Sequence, residues 1–182
     1  HGATVREIAS RSPFPIGRAV HVVRQVARAL SAAHAQGIIH RDVKPDNIFI
    51  VRKGSDHSYV KLLDFGVAKL LDAEHEANRT LVGTAMGTPN YMSPEQTRGE
   101  RVDPRSDVYS LGVVLYNLLA GKVPHSASSI PGLLLTISTK PPEGLPTTTL
   151  AGEAIPPGLR NLVMQCLHKD ASKRPQSMDE VQ

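Results

Sequence analysis

Residues 16–36 carry the longest helical pattern in the chain, entered after the breakers Pro13 and Pro15 and closed by Gly37. Val20, Val23, Ala27 and Leu30 form one apolar stripe along it, and Val22, Val26 and Ala29 form a second. The pattern therefore predicts a helix buried on two sides, around which the remaining elements must be arranged. The polar loop 40–47 follows and leads into two β-rich runs, 48–52 and 60–63, joined by the turn-prone Lys53-Gly54-Ser55-Asp56 stretch. These runs predict a small antiparallel hairpin. From Asp64 to Glu95 no period is sustained, and an aperiodic connection of that length inside a compact domain is normally functional. Beyond it Ser106 reads as the N-cap of a helix ending at Gly121, with Val108, Leu111, Leu115 and Leu118 on one face. Shorter helices are predicted over 130–139 and 157–167, and Ser177-Met178-Asp179-Glu180 reads as a capping box opening another. The sum is a mainly α chain with a small β element, and 182 residues suit one domain.

Composition narrows the function classes. With 40% hydrophobic and 21% charged residues the chain is neither disordered nor fibrous. Its net charge of +4 comes from 21 basic against 17 acidic residues scattered from Arg6 to Arg174, without the basic stripe of a nucleic-acid protein. The longest mostly apolar stretch, 111–120, falls well short of the roughly 20 residues of a membrane span. Neither nucleic acid nor membrane contact is expected of this segment. Cys166 is the only cysteine, which excludes a disulfide framework and suits a reducing, cytoplasmic setting. It sits on an apolar helix face and reads as core. His21, His34, His125 and His168 lie at no metal-ligand spacing, so no zinc is expected. The chain begins at His1 with no leader-like pattern, and it reads as a piece of something longer.

Chemistry concentrates in the loop His40-Arg41-Asp42-Val43-Lys44-Pro45-Asp46-Asn47. It places a carboxylate, an ammonium two residues on and an amide five residues on in a tight turn between a buried helix and a strand. Such a set can hold a base, a charge-neutralising cation and a metal ligand around one phosphoryl group. Asp64-Phe65-Gly66 follows the hairpin, which returns the Asp64 carboxylate beside Asn47. Two oxygen ligands near phosphate suit Mg²⁺, which completes its shell with phosphate and water.

These residues resemble the protein kinase family: the catalytic-loop signature at 40–47, Asp-Phe-Gly at 64–66, and Gly87-Thr88-Pro89 leading to Ser93-Pro94-Glu95. The resemblance implies that Asp42 is the base accepting the substrate hydroxyl's proton, and that Asn47 and Asp64 are magnesium ligands. Lys44 is similar to the lysine that marks the serine/threonine subclass and neutralises the γ-phosphate. Phe49 and Leu63 would line the floor of the ATP cleft. His40 resembles a packing residue stacked with Phe65, Asp107 the aspartate that ties the core helix to the catalytic loop, and Arg174 the bidentate partner of Glu95. Arg41 resembles the arginine that pairs with a phosphorylated activation-segment residue, for which Thr80 and Thr84 are the acceptors. Thr88 resembles the threonine that contacts Asp42 and Lys44 and supports hydroxyl substrates. Ser93, where alanine is commoner, and Gln96 together resemble bacterial members. Asp46 is expected to attract a basic residue beside the phosphoacceptor.

The resemblance covers residues 1–182 as a partial domain, the C-terminal lobe of an α+β fold, with a catalytic loop at 40–47 and an activation segment at 64–95. No glycine-rich loop, strand lysine or helix glutamate precedes Ile16. The resemblance thus implies a serine/threonine protein kinase that uses ATP and Mg²⁺ on protein substrates. The N-terminal lobe would be missing, leaving this isolated chain nearly inactive. The alternative is a truncated or degenerate kinase acting as a non-catalytic scaffold. Small-molecule phosphotransferases of similar architecture are disfavoured by the set Arg41, Lys44 and Ser-Pro-Glu.

Overall fold

A computed structural model describes residues 2–53, 56–64 and 89–182. In chain order the elements are β1 (Gly2–Thr4), α1 (Val5–Ala9), α2 (Ile16–His34), β2 (Ile48–Lys53), β3 (Asp56–Leu62), a 3₁₀ turn (Pro89–Tyr91) and α3 (Pro94–Thr97). There follow α4 (Pro104–Ala120), α5 (Ile130–Thr139), α6 (Pro157–Cys166) and two further 3₁₀ turns, Ala171–Lys173 and Asp179–Val181.

The helix that is buried all round is α4, not α2. From Ser106 to Ala120 only Asn117 escapes full burial, as expected of a helix apolar on every side. In α2 the buried residues Ala19, Val22, Val23, Val26, Ala27 and Leu30 make one stripe, and Ala29 is exposed. The predicted second apolar side fails because Arg18, His21, Arg24 and Arg28 are exposed at helical spacing along the outer surface. The two apolar stripes merge into one broad face, which packs against α4.

The start of α4 also differs from the sequence reading. Asp103 is the N-cap, accepting from the Arg105 N–H, and Pro104 occupies the first helical turn, where its fixed φ suits the helix and its missing N–H costs nothing. Ser106 is instead buried inside the helix. Gly121 ends α4 with φ +68°, the left-handed conformation that glycine adopts without strain. Midway, Gly112 permits close approach of α6, since a Cβ there would lie 2.6 Å from the Cys166 Cβ. Cys166 is buried in that contact, and burial pushes its thiol up to about 12, so it is unreactive packing.

The predicted hairpin is the greater part of a three-stranded antiparallel sheet ordered β1-β2-β3. In it Ile50 pairs with Ala3 on one side and Val60 on the other. Ile48 and Ile50 face the core, and Phe49 and Val51 alternate to the other side, half-buried. The short β1 carries no period of its own, which hid it from the sequence. Thr4 and Glu7 form a capping box that starts α1 directly at its end. At the far terminus the expected capping box is absent: Met178 is buried and leads into a single 3₁₀ turn, while the Glu180 carboxylate accepts from the Gln176 N–H at 2.9 Å. That turn is stapled to α2 by the Ser31 hydroxyl, which donates to Asp179 at 2.8 Å.

Candidate active site

Asp107, in the first turn of α4, is completely buried and acts as the anchor of the polar loop 40–47. Its Oδ2 accepts from the His40 backbone N–H at 2.9 Å and its Oδ1 from the Arg41 N–H at 2.9 Å. The His34 Nε2–H adds a third bond to Oδ2 at 2.7 Å. Arg41 stands in the left-handed region, φ 65°, a conformation that costs a non-glycine residue on the order of 1 kcal/mol. The Asp107 bond on one side and a bond from the Gln96 amide to the Arg41 carbonyl, 2.8 Å, on the other hold it there. The chain is thereby forced to turn sharply and present the next side chains outward.

Those side chains converge. Lys44 Nζ donates to Asp42 Oδ2 at 2.7 Å, and Asn47 Nδ2 donates to the same oxygen at 3.1 Å and to the Asp42 carbonyl at 2.9 Å. Asp42 and Lys44 keep 29% and 23% of their side chains exposed, so the pair remains accessible to an incoming molecule. His40 links this cluster to the sheet. Its Nδ1 accepts from the Asp42 N–H at 3.2 Å and its Nε2–H donates to the Leu63 carbonyl at 3.0 Å. These bonds assign the tautomer, and burial, outweighing the pull of Asp107, keeps the imidazole below its usual range and neutral. The Leu63 N–H donates to the Asn47 carbonyl at 2.9 Å, so Asp64 follows one residue beyond this contact with the Asp42 cluster, itself left-handed at φ 55°.

This geometry carries the sequence resemblance, and comparison with known proteins settles the family. A model of the protein kinase domain matches residues 1–182. The chain belongs to the protein kinase family. It is 41% identical over 180 residues to the serine/threonine-protein kinase pkn3 of Myxococcus xanthus, covering 98% of this chain and 33% of that protein. To pkn2 of the same organism it is 41% identical over 182 residues, covering 99% of this chain and 21% of the relative. To the serine/threonine-protein kinase PknL of Mycobacterium tuberculosis it is 47% identical over 129 residues, 70% of this chain and 31% of the relative. The chain is thus of the bacterial serine/threonine kinase type and spans a third or less of these relatives' length.

Within the kinase chain, Glu95 and Arg174 form a second buried charge centre. Arg174 donates to both Glu95 oxygens, at 2.8 and 2.9 Å, and to the carbonyls of His168, Arg105 and Lys169 at 2.7, 3.0 and 3.1 Å. Its guanidinium also lies 5.0 Å from the Tyr109 ring centroid. Ser106 Oγ donates to Glu95 Oε1 at 2.6 Å. Burial alone would raise the Glu95 carboxyl, but the Arg174 and Ser106 bonds outweigh it and hold the group down to about 2. Next to it, Ser93 and Gln96 cap α3 reciprocally, and the remaining Gln96 donors reach the Arg41 carbonyl. The serine that departs from the family's commoner alanine is therefore half of a capping box joined to the catalytic loop.

Asn47 and Asp64 offer an amide and a carboxylate oxygen, hard donors that fit Mg²⁺. The Asn47 nitrogen is committed to Asp42, so its oxygen is the atom that would face a metal ion. Among the described residues no three His, Cys, Asp or Glu side chains group to hold a metal ion. Phe49 is half-buried on β2, and Leu63 is 40% exposed at the end of β3. Arg41 Nε is buried with no hydrogen-bond partner among the described residues. Phe65, Thr80, Thr84 and Thr88 lie outside the described residues. Asp46 Oδ1 takes the Arg6 Nε–H at 2.5 Å, in an ion pair whose two side chains stay more than 40% exposed.

Sequence reasoning assigns His34 and Arg6 no place in the site and reads Ser106 as a helix cap, whereas they bond Asp107, Asp46 and Glu95. Each acts through a partner far along the chain, and no local spacing announces such a pair.

Proposed function

We propose that the protein carrying this chain transfers the γ-phosphoryl group of ATP to serine or threonine hydroxyls of proteins, with residues 1–182 as the C-terminal lobe of its catalytic domain. The observation that supports it most is the convergence of Lys44 and Asn47 on one oxygen of Asp42. In this reading Asp42 orients the acceptor hydroxyl and takes its proton as the oxygen attacks phosphorus. Lys44, fixed beside it, supplies positive charge to the phosphoryl oxygens. Asn47 and Asp64 would hold Mg²⁺, which when bound neutralises the phosphate charge. Phe49 and Leu63 would meet the nucleotide. Glu95, Asp107, Arg174 and His40 shape the loop without touching substrate. Thr88 would contact the Asp42 and Lys44 pair in support of hydroxyl substrates. The unpartnered Arg41 Nε favours pairing with a phosphate on Thr80 or Thr84. Among the described residues no helix is long and apolar enough to cross a membrane, and a cytoplasmic site of action is part of the same proposal.

The test is transfer from labelled ATP with Mg²⁺ to a generic basic protein by the full-length protein. Asp42→Asn should lower the rate about 10²- to 10⁴-fold. Absence of transfer by the unaltered protein would overturn this reading in favour of a non-catalytic scaffold.

A further inference from the structure

Beside the loop that carries Asp42, a cavity of about 350 Å³ opens between α1 with the turn after it and the C-terminal end of α4. Phe14, Leu118 and Leu150 supply its apolar wall, Pro45 belongs to the catalytic loop, and among the described residues Arg6 and Arg11 are the charged ones lining it. Arg6 is tied to the catalytic loop twice, through its backbone N–H to the Pro45 carbonyl at 3.3 Å and through its side chain to Asp46. That pairing engages the Asp46 carboxylate, while the Glu153 carboxylate accepts from the Ile16 N–H at 3.0 Å and that of Glu7 from the Thr4 N–H at 2.8 Å. Arg11 is exposed and adds a positive charge, and the exposed Arg18 guanidinium lies 5.0 Å from the ring centroid of Phe14, one of the lining residues. No carboxylate is among the described residues that line the cavity, and at the partial negative end of α4 the Asn117 carbonyl is already taken by the Gly121 N–H at 2.9 Å. The result is an apolar floor under a positive rim.

Pro45 is three residues from Asp42, which at roughly 3.3 Å per residue bounds their separation at about 10 Å. An extended peptide with its hydroxyl at Asp42 would reach the cavity about two to four residues from the acceptor. Resting on the kinase reading above, we propose that this cavity is a substrate subsite for an apolar side chain accompanied by an acidic residue. Arg11 is its specificity-determining charge. Asp46, neutralised by Arg6, selects no basic residue.

The experiment measures kcat/KM of the full-length protein on peptides with a single acceptor. A Leu-Glu, Leu-Gln or Leu-Lys pair is stepped along either side of that acceptor. At one register Leu-Glu should exceed Leu-Lys by about fivefold at low salt, and the ratio should shrink as salt screens the rim. Arg11→Glu, an exposed change, should invert the ratio. Asp46→Asn should increase it, and because the ratio is taken within one variant, a general loss of rate cancels. Equal rates for the three peptides, a preference for Leu-Lys, or a ratio indifferent to Arg11→Glu would overturn the subsite while leaving the kinase reading intact. Failure to phosphorylate any peptide or the basic protein would instead overturn the kinase reading and the subsite with it.

Discussion

Two charged centres a short distance apart along the same framework behave in opposite ways. At Glu95 and Arg174 the arginine side chain is wholly buried, and its donors meet two carboxylate oxygens and three carbonyls. At Asp42 and Lys44 about a quarter of each side chain stays open. A charge satisfied entirely by the protein serves shape, because no capacity remains for an outside molecule. A charge held in place but left accessible can exchange one partner for another during a reaction. Asp107 belongs to the first kind: its carboxylate is spent on His34, His40 and Arg41, which fixes the start of the loop that carries Asp42.

The largest effects should separate the two centres cleanly. Arg174→Ala removes one partner of a buried pair and strands Glu95, a change that costs about 3 to 5 kcal/mol. A shift in the denaturation midpoint worth less than about 1 kcal/mol would show that the pair is not structural. Asp42→Asn should do the reverse, lowering phosphotransfer about 10²- to 10⁴-fold while stability changes by less than about 1 kcal/mol. If Asp42→Asn unfolds the protein, the division between shape and chemistry fails.

How much of this was legible depended on distance along the chain. Asp42, Lys44 and Asn47 lie within six consecutive residues, so their order alone announced that the three side chains could meet. Asp64 was legible because a hairpin must return its end beside its start. Asp107 and Arg174 carry no such local sign, and only the family resemblance pointed to them. His34 with Asp107 and Arg6 with Asp46 are separated by 73 and 40 positions, and no periodicity encodes such pairs. The two-sided reading of α2 failed for a related reason. Its apolar residues were counted without the outward row of Arg18, His21, Arg24 and Arg28, which makes the helix amphipathic. Ser106 was taken for a cap because serine commonly is one, yet Asp103 followed by Pro104 is the stronger start.

Acid should sharpen the comparison, since Glu95 of the buried centre has its protonation shifted. Glu95, held at about 2 against an ordinary 4.5, contributes stability that is fully present above pH 4.5 and is lost as pH falls toward 2. His125 is pushed to about 4 from 6.5 by burial and by Lys169, whose Nζ lies 2.8 Å from its Nε2. Its contribution is present above pH 6.5 and is lost between 6.5 and 4, and the buried His40 acts in the same direction. Urea midpoints measured from pH 7 to 3 should therefore fall in two stages. His125→Asn should flatten the upper stage in part, and Glu95→Gln the lower. A midpoint independent of pH over this range would contradict both assignments.

The smallest effect tests the join between the two centres. Ser93 is buried, its oxygen accepts from the Gln96 N–H at 3.4 Å, and the Gln96 side chain returns to the Ser93 N–H at 2.9 Å. Ser93→Ala should cost about 1 kcal/mol, the usual worth of an N-cap. Gln96→Ala should cost a similar amount and also release the Arg41 carbonyl, so it alone should slow phosphotransfer measurably. Because the capping bonds are reciprocal, the double variant should lose less stability than the two single losses added together. Strict additivity would mean that the serine and the glutamine act separately. The departure from the family's alanine would then be a local cap, with no part in holding the loop that presents Asp42.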